Sequence, residues 1–64
     1  MPIITALLIA GRTPEKKAAF IKAVTDAAVT SLDVPPDSVR VIIQEVPGEH
    51  FAVAGVPKKP LVPE

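Results

Sequence analysis

The sequence predicts an α+β fold built on a β-α-β unit, with two parallel strands, one main helix and a short C-terminal hairpin, assembled as an oligomer. Three observations lead there: an aliphatic run from Ile3 to Ile9, an amphipathic stretch from Pro14 to about Leu32, and a second aliphatic run from Val39 to Val46. Strand, helix and strand within 46 residues form a right-handed crossover, which makes the two strands parallel. The 64 residues amount to a single domain, 1–64, in which 56–64 form a Pro-rich extended tail.

Ile3 to Ile9 shows little alternation and is aliphatic on both faces, as expected of a strand covered on both sides. Gly11 ends it. In Thr13-Pro14-Glu15 the threonine can accept from free amides of a first helical turn, proline suits the first helical position, and Glu15 faces the positive end of the dipole. Along the helix Phe20, Val24 and Ala28 recur every four residues, flanked by Ile21, Ala27 and Leu32, with Lys16, Lys22, Thr25 and Asp26 on or near the opposite side. The first set predicts the core-facing stripe.

Asp33-Val34-Pro35-Pro36-Asp37-Ser38 is a connection, because consecutive prolines bar further helix. In the strand that follows, Val39, Val41 and Ile43 share one face, and Arg40, Ile42 and Gln44 the other. Pro47-Gly48 is a turn pair, and Phe51 to Gly55 is a small-residue stretch suited to a strand or hairpin. His50 reads as a turn residue, with no Ser, Cys or paired carboxylate placed to act with it.

Composition narrows the function. The chain is 48% hydrophobic, has no cysteine for a disulfide and has only His50 as a nitrogen ligand for a metal, so both usual staples of so small a core are missing; a subunit interface is the remaining way to complete it. Seven basic and seven acidic residues cancel, which removes the positive field that nucleic acid or an anionic membrane surface requires. The apolar run Ile3 to Ala10 is far short of the roughly 20 residues that cross a bilayer, and it lacks the basic segment of an export signal. The expected compartment is the cytoplasm.

Pro2 raises a chemical question, since proline cannot donate to a sheet. With Met1 removed, it would present a secondary amine fixed in direction by its ring. Partial burial and nearby arginine cations disfavour the charged form of such an amine and move its pKa toward the range of about 7 that suits a general base. Parallel strands put Pro2 and Arg40 at one end. Arg12, ten residues from Pro2, lies roughly 30 Å away if the run is extended, so a site using both would be shared between chains. Arginines can hold a carboxylate through paired hydrogen bonds and stabilise negative charge developing on a carbonyl oxygen. An ion pair with Asp37 or Glu45 is the purely structural alternative for Arg40.

The segments "MPIITALLIAGRTPEKK", "SVRVIIQEV" and "GEHFAVAG", in that order and spacing, resemble the 4-oxalocrotonate tautomerase family over about residues 2 to 55. The resemblance implies a tautomerase-type fold, a homo-oligomer that is a hexamer built as a trimer of dimers, sites where subunits meet, and a small-molecule 2-oxo acid substrate. It implies no metal and no organic cofactor. Matched residue by residue, Pro2 is the catalytic amino-terminal proline, and Arg12 binds a distal carboxylate. Arg40 engages the 2-oxo acid end and favours its developing charge, and Phe51 walls the pocket. The chain differs from many relatives in having Ala10 where they carry a glutamate, and in its tail "VPKKPLVPE". That tail is either an arm bracing the oligomer or, through its PxxP pattern, a ligand for a partner's groove. Two other functions fit the same residues: a cofactor-free hydratase or dehalogenase of unsaturated acids, and a non-catalytic oligomeric binding module.

Overall fold

The computed structural model describes residues 1–58. Strand β1, Ile3–Ile9, leads through a short turn into helix α1, Pro14–Leu32, and the chain returns as strand β2, Arg40–Val46. A small hairpin follows, of β3, Ala52–Val53, and β4, Val56–Pro57. The first two strands are parallel, in the register Ile3 opposite Arg40, Thr5 opposite Ile42, Leu8 opposite Glu45 and Ile9 opposite Val46. This is the expected β-α-β arrangement with its hairpin.

Thr13 is the N-cap of α1. Its hydroxyl accepts the amide of Lys16 at 3.2 Å, with Pro14 at the first helical position and Glu15 in the first turn. Asp33 ends the helix in a left-handed conformation, φ 55°, which short polar side chains tolerate better than branched ones. Pro36–Ser38 forms a single 3-10 turn, and the amide of Val39 is used to close it on the carbonyl of Pro36. Val39 is extended but its amide is spent, so β2 starts at Arg40, one residue later than the sequence suggested.

One face of the two-stranded sheet carries Ile4, Ala6, Leu8, Val41 and Ile43, all half-buried, and α1 lies over it. The other face carries Ile3, Thr5, Leu7, Arg40, Ile42 and Gln44, all exposed in the single chain. Ile3, Leu7 and Ile42 there are 63%, 57% and 51% exposed. Ala28, 6% exposed, is the only buried hydrophobic side chain among the described residues. A single chain therefore closes only half of its core.

The helical stripe is rotated from the expected one. Ala28 and Val24 do face inward, but they are joined by Thr25 and Val29, while Phe20, Ile21, Ala27 and Leu32 are exposed. Thr25 can sit half-buried because its hydroxyl donates to the carbonyl of Ile21 at 2.8 Å, which satisfies it within the helix. A sheet of two strands is also too narrow to cover the whole apolar side of a 19-residue helix.

After β2, Gly48–His50 forms a second 3-10 turn with His50 exposed, as read from the sequence. The hairpin turns at Ala54 and Gly55, both at positive φ (53° and 82°), the combination that suits a tight two-residue connection. The tail is expected to be extended from 56 onward; Val56 and Pro57 are extended, as strand β4, and the Lys58 amide donates to the carbonyl of Phe51 at 2.8 Å. The remainder of that expectation falls on residues outside those described.

Candidate active site

The fold sorts the four candidate site residues into two pairs. At one end of the sheet, the amide of Arg40 donates to the carbonyl of Pro2 at 2.9 Å, continuing the ladder one step past Ile3. Pro2 is half-buried there, and Met1 ahead of it is 79% exposed. The guanidinium of Arg40 donates through Nη1 to the carbonyl of Asp37 at 2.6 Å, which draws the side chain along the Pro36–Ser38 turn. The structural alternative for this arginine fails. Its contact with Asp37 is to the backbone carbonyl, and Glu45 is engaged by Lys17 at 3.1 Å.

At the other end, the amide of Ala10 donates to the carbonyl of Val46, Gly11 takes a φ of 133°, and the chain turns toward α1. That φ leaves little room for any residue with a side chain. Arg12 follows, exposed, with Nη1 donating to the carbonyl of Ile9 at 3.3 Å. Two grooves meet at this arginine. One of about 250 Å³ is lined by Leu7, Leu8, Ile9, Arg12 and Phe51; the other, about 350 Å³, by Leu8, Arg12, Lys16, Lys17 and Phe20. Phe51 and Arg12 are thus brought together, whereas Pro2 lines neither groove. Between the pairs runs the whole of β1, roughly 20 Å at the usual rise of a strand.

Such a surface has an apolar wall, a cation able to hold a carboxylate, and at the far end a second cation beside the residue that would carry a free amine. The family profile described as "Tautomerase enzyme" matches residues 2–60. The chain belongs to the tautomerase family. As a tautomerase it is an isomerase, and all four candidate residues fall within the matched segment. It is 62% identical over 58 residues to a protein of Ralstonia nicotianae named a probable tautomerase, covering 91% of this chain and 83% of that one. It is 46% identical over 57 residues to the 2-hydroxymuconate tautomerase of a Pseudomonas species, covering 89% and 90% of the two chains. Among solved structures, a heterohexamer 4-oxalocrotonate tautomerase from Chloroflexus aurantiacus superposes with a TM-score of 0.85 at 40% identity, over 89% of this chain and 92% of that one.

Sequence reasoning about this tautomerase missed Leu8, Lys17 and Phe20 as groove residues and Glu45 as the partner of Lys17. One signal was available for Glu45. It shares its parity with Val41 and Ile43, so it falls on the helix-covered row, where a carboxylate needs a cation. Among the described residues no three His, Asp or Glu side chains gather in a way that would hold a metal ion, and no helix is long and apolar enough to cross a membrane.

Proposed function

We propose that this tautomerase interconverts the enol (2-hydroxydienoate) and keto forms of unsaturated 2-oxo acids, using the amine of Pro2 as base and acid once Met1 has been removed. The observation that carries the reading is the placement of Pro2 beside Arg40 at one end of the sheet. Partial burial disfavours protonation of a free Pro2 amine, and a guanidinium brought close to it would act in the same sense, so it stays available to take a proton. That amine takes the proton of the enol hydroxyl and returns it to a carbon conjugated with the enol, so the carbon–carbon double bonds shift and the oxygen becomes a carbonyl. Arg40 holds the 2-oxo acid end and stabilises the negative charge that passes through its oxygen. Arg12 holds a distal carboxylate by a paired contact, and Phe51 keeps the cleft apolar.

Arg12 and Pro2 of one chain lie a full strand apart, so in this reading each site takes Pro2 from one subunit and Arg12 from a neighbour. The exposed face of Ile3, Leu7 and Ile42 supports such an assembly, because covering the part of each side chain that is still exposed is worth about 1–1.5 kcal/mol, half of a full burial. The assembly is a hexamer, a trimer of dimers, of which each chain of 1–64 is one domain. The name of the heterohexameric relative supports that number, and the name of the Pseudomonas relative supports 2-hydroxymuconate as the class of substrate. The same reading places the enzyme in the cytoplasm.

The test is ketonisation of 2-hydroxymuconate followed by ultraviolet absorbance, on protein shown by intact mass to lack Met1 and on Pro2→Ala prepared alike. Rapid turnover that collapses in the variant supports the proposal. Equal turnover in the two proteins, or none in the Met1-free protein, overturns it.

A further inference from the structure

Lys17 and Glu45 form a pair that the proposed reaction does not use. Lys17 Nζ stands 3.1 Å from Glu45 Oε1, bridging α1 and the end of β2 over 28 residues of sequence, with the two side chains only 27% and 30% exposed. Glu45 is directly across the ladder from Leu8, and Leu8 lines both grooves that meet at Arg12. Lys17 lines the larger groove together with Arg12, whereas Glu45 does not line it. The groove therefore holds two lysines, Lys16 and Lys17, and the charge of Lys17 is offset by a carboxylate just outside the groove wall.

We propose that the Lys17–Glu45 pair sets the charge of the groove at Arg12 and so the enzyme's preference for substrates with a second, distal carboxylate. The inference rests on the reading that Arg12 holds that carboxylate. Lys17 attracts a distal anion along with Arg12, and Glu45 withholds part of that attraction. In a partly screened groove such charges act over a few ångströms and weaken as salt is added. Both residues act on specificity through the field at Arg12, with no part in the proton transfer.

The readout is the ratio of kcat/KM for 2-hydroxymuconate, which has the distal carboxylate, to that for 2-hydroxy-2,4-pentadienoate, which lacks it. Lys17→Met lowers this ratio and Glu45→Gln raises it, each by about threefold at low salt and by less at high salt. A pair that only holds α1 on the sheet predicts a different pattern, with both variants losing activity toward both acids alike. The reversed pair, Lys17→Glu with Glu45→Lys, separates the two further. It restores the bridge but puts a negative charge in the groove, so the ratio falls below that of the original protein. Shifts of the two single variants in the same direction, or a reversed pair with an unchanged ratio, overturn the proposal. Arg12→Ala is run beside them: if it leaves the ratio unchanged, the role given to Arg12 fails, while opposite shifts at 17 and 45 still support the charge effect.

Discussion

The backbone of Arg40 is hydrogen-bonded to that of Pro2 at 2.9 Å, while Arg12 and Phe51 share a groove at the opposite end of the same strand. In the proposed reading, a single chain thus presents one half of a site at each end. The consequences can be tested one at a time.

Pro2→Ala and Arg12→Ala, each inactive or weak alone toward 2-hydroxymuconate, regain activity when they are unfolded together and refolded as mixed assemblies. On random mixing about one site in four draws an intact Pro2 and an intact Arg12 from different subunits. Activity in the mixture that stays at the mean of the separate variants would exclude a shared site.

Arg40→Ala loses kcat toward 2-hydroxymuconate by about 10²-fold, the usual effect of removing one donor to a developing oxyanion. Arg40→Lys recovers part of it, since it keeps the charge but not the planar fork that both grips a carboxylate and reaches the carbonyl of Asp37. Steady-state kinetics on the three proteins checks the order.

Ile42→Glu places a charge in the middle of the exposed apolar face between Ile3 and Leu7. Sedimentation equilibrium should find smaller species than for the unaltered protein, and turnover should fall with them. An unchanged mass would mean that this face is not where subunits meet.

Ala54→Asn stabilises the protein by about 0.5–1 kcal/mol, because Ala54 holds a left-handed φ of 53° that asparagine adopts at lower cost. Thr13→Ala acts in the other direction by about 1 kcal/mol through loss of its bond from the Lys16 amide. Denaturation midpoints compared at one protein concentration, so that any association is held constant, measure both.

Much of the fold was legible because local chemistry and global arrangement agree. Thr13-Pro14 marks the helix start, Pro35-Pro36 the crossover, and the parity of Val41 and Ile43 the buried face of β2. The separation of Pro2 from Arg12 followed from strand length alone. The helical stripe was misplaced because Thr25 satisfies its own hydroxyl, so its polarity gave no guide to its side. The ion pair of Glu45 was missed because its partner lies 28 residues away, and which helical turn covers the end of a strand depends on how the helix crosses the sheet. Spacing within one element does not hold that information.

The bond from Lys58 to the carbonyl of Phe51 has a practical side. It fastens Lys58, the last described residue, to the backbone of Phe51, a residue that lines the smaller groove, so any strain that a C-terminal tag or fusion partner passed to Lys58 would be felt at that groove. A tag on the other end would cap Pro2. Enzyme meant for kinetics is best made without either, and a C-terminal fusion that dulls activity while the amino terminus stays free would identify the hairpin as the point where the added mass is felt.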